Sequence, residues 1–257
     1  MDDAHDNVRR ARQLVTSELA KRGYQSVIGV ADVNQVFRAL MPVQQTTLQA
    51  MCHARFPRFL KEGSILCVGA ALPESAIACI DAKHVDGTID RQTWNRYAAE
   101  YRNLNRVLNT VTTHVATWAH GIPLPATIEG IAGSIHRVDE YYGLTVSHRV
   151  IAEQAGAGWR GKNELIVHDV FRCALRFAAV LTTIPLPPSE KAVNRCGDCE
   201  ACLDACPVLR HKETHEDFRE SCRQYILRLQ LDADVCGKCI KACCYADTPL
   251  KKGSRAC

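Results

Sequence analysis

Residues 5–22 place Val8, Ala11, Leu14, Val15 and Leu19 at the three-to-four spacing of an amphipathic helix, and Gly23 ends it. The runs SVIGVA (26–31) and SILCVGAAL (64–72) are short, apolar and nearly uninterrupted, which predicts buried strands. CALRFAAVLTT (173–183) has the same density and predicts a third core strand. Residues 90–120 contain no Gly or Pro and predict one long amphipathic helix, stopped by Gly121 and Pro123. Helices and strands thus alternate through the first part of the chain. The expected class is α+β, with a central mixed sheet flanked by helices. In IPLPPSEKAVNRC (184–196), three prolines fall within five residues and charge follows. This places a boundary near residue 188, between a domain over 1–188 and a module over 189–257 that is too small to fold on hydrophobic burial alone.

At 257 residues, 47% hydrophobic and 23% charged, the chain can bury a sizeable core. Its net charge of +4 is scattered, with no basic block, so nucleic acid is not an expected partner. The start, MDDAHDNVRRARQLV, lacks the basic stretch and apolar run of a secretory signal, and nothing approaches the ~18 apolar residues of a membrane span. A soluble, cytoplasmic protein without a membrane partner is expected. In a reducing compartment the fourteen cysteines suit metal better than disulfides.

Ten of those cysteines lie between 196 and 257. The run CGDCEACLDACP (196–207) is C-x2-C-x2-C-x3-C-P. Cys222 follows, then Cys236, Cys239 and Cys243 as C-x2-C-x3-C. An iron–sulfur cube needs four thiolates at tetrahedral corners. Two-residue gaps wrap three of them in one loop, and in two-cluster ferredoxins the fourth comes from the partner motif. This assigns one 4Fe–4S cluster to Cys196, Cys199, Cys202 and Cys243, and a second to Cys206, Cys222, Cys236 and Cys239. Zinc is the alternative for C-x2-C pairs, but the four-cysteine run with its proline favours the ferredoxin arrangement. Cys244 could replace Cys243. Cys257 reads as a free terminal thiol, and Cys52, Cys67, Cys79 and Cys173 read as small buried hydrophobes.

AGAGWRGKN (155–163) is rich in glycine, which suits either a tight turn or a backbone close to a flat or anionic ligand. It does not form G-x-G-x-x-G, so a Rossmann site is not indicated. The segment resembles the A-G-L-G-W-x-G-K-[HN] motif of epoxyqueuosine reductases. The family's proline-rich segment and eight-cysteine module are matched in the same order by VLTTIPLPP (180–188) and the cysteines above. YAAEYRNLNRVLN (97–109) is similar to a looser version of the family's Tyr- and His-containing helix. The resemblance implies a nitroreductase-like corrinoid domain, related to reductive dehalogenases, followed by a bacterial two-cluster ferredoxin-like module. It also implies base-off cobalamin held by Ser147, His148, Ala157, Gly158, Trp159, Gly161, Lys162 and Asn163. Electrons would come from a ferredoxin- or flavodoxin-type donor and pass through the clusters to the corrinoid. The acceptor would be a small molecule or a partner corrinoid protein.

The chain departs from that pattern. Gly143 stands where the family's catalytic Asp would fall, in YYGLTVSHR, and Asp139 lies four residues earlier. The family's helical repeats after the clusters are not expected here. This reads as a short subgroup whose substrate is not expected to be epoxyqueuosine. His148 and Tyr101 are then the candidate proton donors, His148 through an imidazole titrating near neutrality. Asn105 lies one helical turn from Tyr101 and shares its face. Arg160 stands where the family has an apolar residue. PLPAT (123–127) is a candidate cavity wall, and His114 and His120 are expected on a helix surface. Two alternatives remain: a two-cluster electron carrier without a substrate of its own, and a flavin-binding iron–sulfur reductase.

Overall fold

The computed structural model describes residues 2–127 and 132–246. Helices α1 (Asp2–Ala20), α2 (Val33–Ala39), α3 (Pro42–Cys52), α4 (Phe56–Glu62), α5 (Glu74–Ala78), α6 (Arg91–Trp118), α7 (Val138–Tyr142) and α8 (His148–Gln154) precede the cysteine-rich part. Within that part lie α9 (Ala201–Asp204), α10 (Phe218–Leu229) and α11 (Lys238–Tyr245). The strands are β1 (Ser26–Asp32), β2 (Ser64–Ala71), β3 (Ile122–Leu124), β4 (Trp159–Arg160), β5 (Ile166–Val167) and β6 (Leu175–Thr182).

β1, β2, β6 and β3 form a sheet in that order, and β4 pairs with β5 in a separate ribbon. The central β2 is buried at every position, as its unbroken apolar run requires. The expected mixed sheet is corrected: all three pairings in the four-stranded sheet are antiparallel. Periodicity marks which residues form strands, but strand direction depends on where the connections return, and here helices intervene without imposing a parallel crossover.

Alternate residues of the strands feed two cores. Val30, Leu66, Val68, Ala70, Ala178 and Val180 pack with α1 and α6 on one face. Ile65, Cys67, Phe177, Ala179 and Leu181 pack with α2, α3, α4 and α8 on the other. α6 starts at Asp90, whose carboxylate accepts the Thr93 N–H at 3.0 Å. It buries Trp94, Tyr97, Leu104, Leu108, Val111 and Val115 along one stripe.

The proline-rich stretch is pinned to the sheet edge. Ser189 N–H donates to Val30 O at 2.9 Å, and Val30 N–H donates to Ser189 Oγ at 3.0 Å. Gly156, at φ +66°, sits where a Cβ would meet Glu190 O at 2.0 Å, so the glycine-rich loop packs directly on this stretch. Leu229, Ala233, Val235 and Ile240 of the cysteine-rich part join the same core as α6. Trp94 Nε1 donates to Cys236 O at 2.9 Å, and Lys241 Nζ donates to Ala78 O at 3.0 Å and Ile80 O at 2.6 Å. No described helix is long and apolar enough to cross a membrane.

Candidate functional site

The cysteine-rich part meets the α/β body around two cysteine-lined cavities. A small one of about 30 Å³ is lined by Cys196, Cys199, Cys202 and Cys243, together with Gly161, Lys162 and Asn163. A larger one of about 370 Å³ is lined by Cys206, Cys222, Cys236 and Cys239 and continues along α6 and α7. The eight thiols divide four and four between the linings of these two cavities. Cys243, not its neighbour Cys244, lines the first cavity.

Thiolate-only donor sets in fours suit iron–sulfur clusters, and local N–H groups are placed to serve the sulfurs. Trp159 Nε1 lies 3.3 Å from Cys196 Sγ, and the Leu209 backbone N–H lies 3.5 Å from Cys206 Sγ. Among the described residues, no group of three or more His, Cys, Asp or Glu is disposed to hold a metal ion. Gly237, at φ +81°, lets the Cys236–Cys239 turn lie against the Tyr97 ring, where a Cβ would come within 2.9 Å.

A further cavity of about 250 Å³ shares Thr127, Tyr141, Tyr142, Arg149, Leu165, Arg176 and Ile240 with the larger one. The two form one chamber between the sheet, α8, α7 and the cysteine-rich part. Phe177, Leu175, Ile166 and Val146 give it an apolar wall. Three buried polar atoms on its lining have no hydrogen-bond partner among the described residues, His148 Nδ1, Arg176 Nη2 and Arg219 Nε, and beside them Tyr141 Oη is engaged only by the Thr127 side chain. Buried polar groups are normally satisfied, so their convergence on one chamber indicates a polar ligand.

The structure divides the sequence-derived site residues between these places. Ser147 and His148 line the 250 Å³ cavity, and Ser147 Oγ caps α8 by accepting the Val150 N–H at 3.4 Å. Asn163 lies between the first cysteine set and the chamber, with Nδ2 3.4 Å from Cys173 Sγ. Trp159, Gly161 and Lys162 face the first cysteine set, and Ala157 and Gly158 lie buried in the loop behind them. Lys162 Nζ is 3.8 Å from Glu200. Tyr101 lines the chamber with the Arg176 guanidinium 4.0 Å over its ring, and Asn105 Oδ1 accepts from Arg176 Nε at 3.1 Å. Asp139 is exposed and 3.6 Å from Arg137.

Three expectations need correction. His148 does not titrate near neutrality: burial pushes its pKa down to about 4, opposed by its bond to Pro125 O and reinforced by the nearby Arg176 charge. Because a carbonyl can only accept, the 2.6 Å contact with Pro125 O puts the proton on Nε2. Nδ1 is then a bare acceptor. Cys79 is only half-buried. His120 lies beyond the end of α6, at φ +47°. Cys257 falls outside the described residues.

Sequence reasoning missed Tyr141, Arg149, Arg176 and Arg219. Arg176 did carry a signal, as the one charged residue in the apolar strand LRFAAVLT. Cys173 was read as a buried hydrophobe. It is buried, but its thiol is hydrogen-bonded with Cys243 of the first cysteine set and lies 3.9 Å from Cys239 O and 4.0 Å from Ile240 O, between the two sets.

No family model matches the chain. Among curated proteins it is similar to the epoxyqueuosine reductase of Bacillus anthracis, with 37% identity over 63 residues, which is 24% of this chain and 17% of that protein. The enzyme of the same name from Listeria monocytogenes is 39% identical over 63 residues, 24% of this chain and 17% of that protein. That from Synechococcus is 43% identical over 57 residues, 22% of this chain and 18% of that protein. Each match therefore spans less than a fifth of the curated relative. Among solved structures, a selenomethionine-labelled epoxyqueuosine reductase aligns with 80% of this chain and 52% of its own, at 17% identity and a TM-score of 0.42. An epoxyqueuosine reductase with an epoxyqueuosine-modified tRNA-Tyr stem loop aligns over the same shares, at 17% identity and a TM-score of 0.41. The chain is thus similar to epoxyqueuosine reductases over a local stretch of sequence, and it has a mixed helix-and-strand architecture with a small sheet.

Proposed function

We propose that this chain is an iron–sulfur oxidoreductase of the epoxyqueuosine reductase type, reducing a substrate bound in the chamber between the sheet and the cysteine-rich part. The observation that carries this is the four-and-four partition of the cysteines, with the second set opening into the chamber. Cys196, Cys199, Cys202 and Cys243 would hold one 4Fe–4S cluster, and Cys206, Cys222, Cys236 and Cys239 the other. An external ferredoxin- or flavodoxin-type donor would supply electrons in a reducing compartment.

The chamber is also the place for base-off cobalamin. Asn163 and Arg149 on its cysteine side would face a ring rimmed by amides that both accept and donate, leaving Arg176, Tyr141 and His148 on the sheet side to the substrate. When bound, a corrinoid supplies a metal centre that takes electrons singly and passes them to a substrate. The protein's own contribution is positioning and protons. Tyr101 would donate a proton from its hydroxyl, with the Arg176 cation over its ring stabilising the phenolate left behind. His148, neutral above its low pKa, would hold a ligand N–H or O–H in place.

The resemblance and the local similarity support this reading. A small molecule or a partner corrinoid protein remains the proposed acceptor, in preference to a tRNA. The test is anaerobic purification, reconstitution with iron, sulfide and cobalamin, and measurement of iron and the visible and EPR spectra. About eight irons per chain and a base-off corrinoid signal are expected. Eight irons without a corrinoid would leave an electron carrier, or a flavin enzyme if flavin binds instead. A yield of one or two zinc ions would overturn the cluster assignment.

A further inference from the structure

The chamber carries more positive charge than its surroundings neutralise. Arg149, Arg176, Arg219 and Arg223 all line it. Arg223 is paired with Glu220 at 2.7 Å. Glu164 is shared at 3.9 Å between Arg219 and Arg160. Neither Arg149 nor Arg176 has a carboxylate within salt-bridge distance among the described residues.

The two unpaired cations have different neighbours. Arg149 bears electrostatically on Cys222, so a thiolate set there would answer its charge. Arg176 bears instead on His148 and Tyr97, on the sheet side of the chamber, and both cations bear on Tyr141. Its guanidinium is fixed by Asn105 on one edge and by Tyr101 beneath, leaving Nη2 buried and unused. A guanidinium held in one orientation in a partly desolvated cavity binds an oxyanion with little ordering cost. A neutral amide would satisfy its N–H but leave its charge uncompensated. Tyr141 accepts from the Thr127 side chain and keeps its O–H to donate near it, and His148 Nδ1 is an unused acceptor in the same lining.

We infer that Arg176 and Tyr141 form an oxyanion subsite, and that the substrate is a small organic carboxylate which also carries an N–H or O–H donor for His148. The inference rests on the chamber being the site of reduction. The Phe177, Leu175, Ile166 and Val146 wall suits a compact apolar body between the two polar ends. A carboxylate fits better than a phosphate because the planar guanidinium edge and one hydroxyl offer few donors for a tetrahedral, doubly charged group.

The experiment uses the anaerobically purified, cluster-loaded full chain and calorimetric titration with three probes: 4-hydroxybenzoate, its neutral match 4-hydroxybenzamide, and inorganic phosphate. One site per chain and at least tenfold tighter binding of the carboxylate than of the amide are expected. Arg176→Gln should abolish that preference, Arg176→Lys should keep part of it, and Arg58→Gln, at an exposed position away from the chamber, should leave it intact. If Arg176→Gln loses iron through misfolding, Tyr141→Phe carries the test, with at least threefold weaker carboxylate binding expected. Equal binding of carboxylate and amide, an unchanged preference in Arg176→Gln, or binding of phosphate alone would overturn the inference. So would complete block of carboxylate binding by saturating hydroxocobalamin, since the subsite would then belong to the corrinoid. Iron and corrinoid content are measured on the same samples, so failure of the cluster or corrinoid reading is seen separately from failure of the subsite.

Discussion

Removing Arg223 tests how the chamber is closed. This residue on α10 is 7% exposed. Its guanidinium donates to the carbonyls of Ala132, Ile135 (3.1 Å) and His136 (2.8 Å), and to Glu220 at 2.7 Å. Glu220 in turn accepts the Val138 N–H at 2.8 Å, and Asp234 accepts the Ala132 N–H at 2.8 Å. Residues 132–142, which wall the chamber through Ala132, Ile135, Val138, Tyr141 and Tyr142, are therefore clasped to the helix that carries Cys222. In Arg223→Met three carbonyls lose their donor and Glu220 loses its cation. Water can replace part of this, because Glu220 is 22% exposed. At about 0.5–1 kcal/mol for each carbonyl and a further 1 kcal/mol for the ion pair, the loss is about 3 kcal/mol. With a urea slope of about 3 kcal/mol per molar for a chain of this size, the midpoint should fall by about 1 M. Arg223→Lys keeps the charge but not the fork and should lose roughly half as much. The assay is urea unfolding of the anaerobic protein followed by tryptophan fluorescence, with trypsin cleavage near 132–142 as a local readout. An Arg223→Met midpoint within about 0.2 M of wild type, with unchanged cleavage, would refute the clasp.

Other predictions follow from the same contacts. Cys243→Ser should reduce the iron content to about half, whereas Cys244→Ser should leave it near the full value, both read by colorimetric iron analysis. Trp159→Phe removes the N–H directed at Cys196 Sγ and should lower the reduction potential of the cluster proposed for the first cysteine set at unchanged iron content, as followed by EPR-monitored redox titration. Buried His148 titrates at about 4, below the 6.5 of the free side chain, so between those values the unfolded chain binds the extra proton. Its contribution is complete above pH 6.5 and is lost as pH falls towards 4, by up to about 3 kcal/mol. His148→Gln should flatten urea midpoints over that window. Gly237→Ala places a Cβ against the Tyr97 ring at a left-handed φ and should cost about 2 kcal/mol or more, measured in the same unfolding assay.

Much of the architecture was legible because local pattern controls it. The runs at 26–31, 64–72 and 173–183 became β1, β2 and β6, and the Gly- and Pro-free stretch at 90–120 became α6. α6 buries one stripe at helical spacing, and β2 and β6 are buried almost throughout, as their unbroken apolar runs require. Cysteine spacing likewise suggests two sets of four, because a tight loop can present three thiols to one centre and must borrow the fourth. Other features depended on residues distant in sequence and carried no local signature. The antiparallel sheet was set by which edges the helices allowed to pair. The pinning of 184–190 to β1 relied on two hydrogen bonds between Val30 and Ser189, one backbone to backbone and one from Val30 N–H to Ser189 Oγ. The site chemistry was least legible. Burial, not residue type, moved His148 away from neutrality, and only the meeting of β6, α6 and α7 brought Arg176, Tyr101 and Tyr141 to one chamber. A side chain's identity is written in the sequence, but its solvation and its charged neighbours exist only once the chain has folded.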